Sequence, residues 1–201
     1  MHHKRLIWQL YPSQLLITII ALLVAAGYGA YSLRAFQLNQ TASGLEARAR
    51  LAQEHVLTLL GKNDLPGLRA FCTSAGKSSA TRLTVTGADG GVLADSDEDP
   101  GRMENHGDRP EIIAALTGSP APSLRFSHTL QENMMYVAIP LKQGGGTRGV
   151  LRTAIPVTFI DSALREIFLK IVWGCLIVAL LVALVAWFVS QRISRPLEEM
   201  R

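Results

Sequence analysis

Cysteine is nearly absent from these 201 residues: there are two, Cys72 and Cys175. One sits in a polar middle stretch and the other inside a long apolar run, so no intrachain disulfide is expected and neither has the surroundings of a nucleophile. Spaced metal ligands are missing too. His106 has Glu104 and Asp108 beside it and His128 at a distance, which is too little for zinc. Asp95, Asp97 and Asp99 alternate as in a calcium loop, but such a loop needs glycine at its sixth position and a bidentate glutamate at its twelfth. Here those positions hold Pro100 and His106, so no metal site is assigned and a solvated acidic loop is expected. No nucleophile stands with a partnered base, so no catalytic residue is assigned. Basic excess is also lacking where it would matter. The net charge is +4, yet residues 34–165 carry 14 Lys/Arg against 13 Asp/Glu, which excludes a nucleic-acid partner.

Charge is missing altogether from Tyr11 to Tyr31 and from Ile171 to Val189. Runs of about 20 helical residues cross a hydrocarbon core of roughly 30 Å. Trp8, Tyr11, Tyr28 and Tyr31 flank the first run, and Trp173 and Trp187 lie at the ends of the second, where amphipathic rings prefer headgroup depth. Two membrane-spanning helices are expected, at 11–33 and 168–190, and the lipid bilayer is the first partner. Two buried core helices are the alternative for both runs. A cleavable signal peptide is the alternative for the first, since Lys4 and Arg5 precede it and Ala25 and Gly27 could form a cleavage site. Lys4 and Arg5 before the first run, and Arg192, Arg195 and Arg201 after the second, favour cytoplasmic tails at 1–10 and 191–201. A segment of about 130 residues translocates largely regardless of its charge, so residues 34–165 are expected outside the cytoplasm.

Between the runs the period changes. Leu38, Ala42, Leu45, Ala49, Ala52, Val56 and Leu59 recur at intervals of four and three, the stripe of a helix that buries one seam. That seam packs on its own domain, on a symmetry mate, or on both. Gly61 and Pro66-Gly67 end the helix, and Leu65 to Thr73 predicts a shorter second one. After Ser79, "TRLTVTG", the turn "ADGG" and "VLADS" predict a hairpin. Later "SLRFSHTL", "MMYVAIPL" and "RGVLRTAIP" predict three more strands, with Pro140 and Pro156 at strand ends. The fold class is therefore α+β: a long N-terminal helix and an antiparallel five-stranded sheet with helices on one face. Between the second and third strands, Asp108, Pro110 and Glu111 read as a capping box ahead of "IIAAL". The insert should lie over the sheet as a lid, with Asp99, Arg102, Glu104, His106 and Arg109 in its loop. Ligand-facing candidates on the later strands are Arg125, His128, Tyr136 and Arg152.

The stretches "LYPSQLLIT", "LEARARL", "VLADSDEDPGRMENHGDRPEI", "MMYVAIPL" and the closing "QRISRPLEEMR" resemble the input half of bacterial two-component sensor histidine kinases, most nearly phosphate-regulon sensors. The resemblance covers nearly the whole chain, with "RMENHGDRPEI" and "RISRPLEEM" its most specific parts. It implies a PAS/Cache-like sensor domain between two spanning helices in the bacterial inner membrane, and an extracytoplasmic ligand or protein as stimulus. It also implies a homodimer and the start of a HAMP linker at 191–201, where Ile193, Leu197 and Met200 keep the four-three spacing around Pro196. The family's ATP-binding glycine-rich segment and phosphorylatable histidine motif have no counterpart here, so kinase activity, ATP and magnesium, and the response regulator belong to a part lying beyond Arg201. Rival readings are the input half of a chemoreceptor or diguanylate cyclase, a free-standing membrane binding or scaffold protein, and, last, an extracytoplasmic hydrolase.

Overall fold

The computed structural model describes residues 3–127 and 131–194; His128, Pro196, Leu197 and Met200 lie outside the described residues, as does the side chain of Ile193. The element order is α1 (His3–Gly61), α2 (Leu65–Ser79), β1 (Arg82–Gly87), β2 (Val92–Asp95), a 3-10 turn (Pro100–Arg102), α3 (Pro110–Leu116), β3 (Ser123–Ser127), β4 (Glu132–Gln143), β5 (Gly146–Pro156) and α4 (Thr158–Ser194). Backbone proximity divides the chain into two compact units, Met1–Ala35 with Asp161–Arg201, and Phe36–Ile160.

In the first unit α1 and α4 each contain a stretch long and apolar enough to cross a membrane, the latter over Glu166–Val185. Ile17, Ile20 and Val24 on one, and Leu176, Leu180 and Leu184 on the other, are exposed within the chain. Apolar side chains all around a helix suit a hydrocarbon solvent.

The second unit is an antiparallel sheet of order β2-β1-β5-β4-β3. Alternation along each strand assigns its faces. On one face Leu83, Val85, Ile139, Leu141 and Leu151 meet Ala49, Val56, Leu68 and Cys72 of α1 and α2. Leu45 joins Met135, Val137 and Val157, with Leu38 and Ala42 partly buried against them. The four-three seam of α1 thus packs on its own sheet. Polar ties fix the register: Thr153 Oγ1 donates to Leu45 O at 3.0 Å, and Gln53 Nε2 to Pro140 O at 3.1 Å.

Several expectations are corrected. Helices cover both faces, since Ile112 and Ala115 of α3 pack on Ala138 and Val150 from the side opposite α1. Pro140 lies inside β4, opposite Val150 of β5, and its carbonyl points away from β5 to Gln53. Its missing N–H therefore faces the side where β3, paired only to 132–136, has already ended, so no ladder bond is lost. α2 runs on to Ser79, where Ala80 closes it in the left-handed conformation, and Gly76 lets the helix approach the end of β2, where a Cβ would lie 2.5 Å from Ser96 Cβ. The capping box does not form: Arg109, without a side-chain hydrogen bond, precedes Pro110 at the start of α3, and Glu111 is buried. Asp95 is buried as well and no part of a solvated loop.

Candidate functional site

The face of the sheet away from α1 is polar near β3 and β5, and sequence alternation dictates which residues reach it. Thr84 pairs with Arg152 across β1 and β5, Arg152 with Ala138 across β5 and β4, and Arg125 with Met134 across β3 and β4. Directly paired residues share a face. Arg82, Thr84, Arg125, Tyr136 and Arg152 therefore stand on one side of four adjacent strands, β1, β5, β4 and β3.

The segment from Ser96 to Arg109 roofs them. Asp99 accepts from Gly101 N at 3.1 Å and starts the 3-10 turn. Further on, His106 N donates to Gly90 O at 2.9 Å and Asn105 Nδ2 to Asp89 O at 3.0 Å, so the roof is pinned to the β1–β2 turn. Gly90 is required there: its φ is +82°, and a Cβ would fall 2.4 Å from the Gly107 backbone. Beneath lies a cavity of about 440 Å³ lined by Arg82, Arg102, Arg109, Arg125 and Arg152, with Tyr136, His106, Glu98, Glu104, Met103 and Ser127. That volume falls in the range of small-molecule sites.

Two carboxylates behind the lining hold the floor. Asp95 takes Arg82 Nε at 3.1 and 3.2 Å, the Thr84 hydroxyl at 2.6 Å, and the N–H groups of Asp97 and Glu98 at 3.0 Å. Glu111 Oε1 accepts from Arg125 Nη2 at 3.0 Å and Arg152 Nη1 at 3.3 Å. Burial opposes ionisation of Glu111, but the hydrogen bond from Arg125, its own backbone N–H and both arginine charges outweigh it and lower its pKa. Arg152 also donates to Thr84 Oγ1 at 3.0 Å, while its Nε, buried, has no partner among the described residues. The Tyr136 ring lies 4.1 Å from Arg125 Cζ and 4.9 Å from Arg152 Cζ, a double cation–π contact. Burial and the charges of Arg152, Arg109 and Arg125 hold His106 neutral, its pKa pushed down to about 4. Cys72 lies on the opposite face with its thiol pushed up to about 12 by burial and by Asp95, which leaves it inert.

Of the ligand-facing candidates, Arg125, Tyr136 and Arg152 come together, and His128 is outside the described residues. From the lid loop Arg102, Glu104, His106 and Arg109 line the cavity, whereas Asp99 serves the turn. Sequence reasoning missed Arg82, Asp95 and Glu111. A signal existed for Arg82: in "TRLTVTG" it alternates with Leu83 and Val85, so a charge had to sit on the second face of a strand covered on its first. Guanidinium groups gathered in this way can pair with anionic oxygen.

No family model matches the chain, and no curated protein matches it by sequence. Solved structures do match it in fold. They include the ligand-binding domain of Mlp24 with asparagine, with TM-score 0.54 and 14% identity over 72% of this chain and 61% of that one. The E. coli DcuS sensor domain gives TM-score 0.52 and 14% identity over 65% of this chain and 98% of that one. The ligand-binding domain of the Campylobacter jejuni chemoreceptor Tlp3, in complex with 4-methylisoleucine, gives 0.50 and 15% over 78% and 62%. The chain thus spans about 61–62% of the Mlp24 and Tlp3 domains. The fold is that of Cache/PAS-like sensor domains.

Proposed function

We propose that the chain is the input half of a membrane signal receptor, its sheet-and-lid unit outside the cytoplasm and its ligand held between lid and sheet. The observation that carries this is the roofed cavity, in a unit flanked along the sequence by two helices suited to a bilayer. The sensor-domain fold supports the same reading. Within that class we favour a two-component histidine kinase of the bacterial inner membrane, acting as a homodimer through a HAMP linker. The kinase part beyond Arg201 would use ATP and magnesium and phosphorylate a response regulator. The closing "RISRPLEEM" and the resemblance to phosphate-regulon sensors support that choice and make phosphate-starvation genes the output to assay. A chemoreceptor is the second reading, favoured by the fold likeness to Tlp3.

A signal requires that ligand binding favour one of two helix arrangements by differential affinity. The test is a chimera: this chain joined after Arg201 to the cytoplasmic part of a HAMP-linked histidine kinase with a transcriptional reporter. Reporter output is expected to change when Arg125→Met or Gly90→Ala alters the cavity or its roof. Output indifferent to both, from a chimera that inserts and phosphorylates, sinks the receptor reading.

A further inference from the structure

We infer that the cavity takes a small oxyanion carrying two or more negative charges and no ammonium group, such as inorganic phosphate or a short polycarboxylate. This rests on the receptor reading and deepens it. The floor supplies three guanidiniums, Arg82, Arg125 and Arg152, against two buried carboxylates, Asp95 and Glu111; the exposed Asp97 reaches Arg82 Nε only at 4.0 Å and offsets it weakly, which leaves a positive surplus. The lid adds Arg102, which forms no ion pair among the described residues, and Arg109. Arg109 reaches Glu104 only at 3.7 Å and Asp108 at 3.5 Å, and both carboxylates are exposed. Pairs of that kind in water hold their partners weakly. A ligand bridging floor and lid therefore meets a positive surplus below and two loosely held guanidiniums above. One negative charge satisfies half of that arrangement; two or more satisfy both layers.

Buried donors point the same way. Arg152 lines the cavity and is 3% exposed, and its Nε–H, itself buried, has no acceptor among the described residues. Nε of Arg125 is likewise buried without a hydrogen bond among the described residues, whereas Nε of Arg109, also without one, lies 3.5 Å from Asp108 Oδ1. A buried unmet donor is costly, and an anionic oxygen is its natural acceptor. An ammonium group finds no equivalent place. Asp95 already accepts from a guanidinium, a hydroxyl and two backbone N–H groups. Glu111 keeps one buried oxygen, Oε2, without a hydrogen bond among the described residues, but it does not line the cavity, and a cation near it meets the field of the two arginines that share its Oε1. Only Glu98 and Glu104, exposed at the rim, remain for an amine. The cavity of about 440 Å³ admits a citrate-sized molecule, or phosphate with ordered water.

The experiment is titration calorimetry on the full chain in lipid nanodiscs with inorganic phosphate, succinate, citrate and L-asparagine in turn. At least one of the three anions is expected to bind once per chain, and which one identifies the source. Arg102→Gln should weaken it roughly tenfold or more, the worth of a charge-assisted hydrogen bond. Because Arg102 is exposed and has no ion pair among the described residues, the unfolding midpoint of the unliganded variant should stay at the wild-type value. Arg109→Gln is the second variant, should Arg102 lie too far from the anion that binds. Binding of L-asparagine in preference to all three anions overturns the anion assignment and leaves the receptor reading standing. No binding of any of the three at 10 mM, or anion binding that neither variant weakens, overturns it too. A wild-type chimera that answers asparagine while these titrations fail separates this outcome from failure of the receptor reading.

Discussion

Glu111 joins three elements through one oxygen: it stands in the first turn of α3 and accepts from Arg125 of β3 and Arg152 of β5. Removing one partner of a buried pair leaves uncompensated charge, at a cost of about 3–5 kcal/mol. Glu111→Gln is therefore expected to lower the denaturant midpoint by several times the effect of Glu104→Gln, whose partner is 3.7 Å away and whose side chain is 89% exposed. Equal effects would mean that the clamp contributes nothing. His106 gives a pH signature at the same scale. Its folded pKa of about 4 lies below the ordinary 6.5, so between those values the unfolded chain binds more protons than the folded one. Stability from this group is whole above pH 6.5, falls as the pH drops towards 4, and changes no further below that. Glu111, also depressed when folded, acts only below its ordinary 4.5. His106→Gln should flatten the stability profile between pH 6.5 and 4.5 while leaving the steeper acid limb, measured by denaturation in a buffer series; an unchanged slope there would refute the assignment.

At the scale of elements, α1 carries the clearest contrast. Leu45 is 1% exposed against the sheet, and Leu51, six residues on, is 85% exposed. Leu45→Ala should cost about 2–5 kcal/mol through lost burial and a residual cavity, and Leu51→Ala less than about 0.5. Similar losses at both sites, by chemical denaturation, would mean that the seam is not where α1 meets the sheet. That seam was legible in the sequence, as were all five strands, because period signals are local: four-three spacing and strict alternation need only neighbours along the chain. The lid helix was found for a wrong reason. Asp108, Pro110 and Glu111 have the spacing of a capping box, yet the carboxylate of Glu111 turns to guanidiniums 14 and 41 residues away. Thr84 and Arg152 meet across 68 residues. No local pattern encodes such distances, so the candidate site was half visible: Arg125, Tyr136 and Arg152 by their strands, but not the carboxylates that hold them. Pro140 shows the converse failure. Its placement inside β4 depends on β3 being shorter than β4, a property of a neighbouring strand.

At the scale of the whole molecule, dimerisation has to be argued without the α1 seam, since its leucines are already spent on the sheet. A signal that crosses a bilayer through packed helices still needs a face on the second span. Along α4, Val172, Cys175 and Ala179 are partly covered within the chain at intervals of three and four, while Ile177 and Leu181, half a turn round, are 56% and 55% exposed. Apolar exposure cannot choose the face in lipid, where helix association depends on close packing. Coverage can: a stripe that the chain itself half covers is a poor place for a second copy. Single cysteines scanned from Leu176 to Val182 in a Cys175→Ala background should crosslink in membranes with a period near 3.5, highest at 177 and 181 and lowest at 179. Native Cys175 should crosslink poorly for the same reason. A maximum at 179, or efficient capture through Cys175, would move the symmetry axis to the covered stripe and require α4 to rotate on assembly. Uniform crosslinking, or none at any position, would remove the packed pair of signalling helices and leave a monomeric membrane binding protein as the better account.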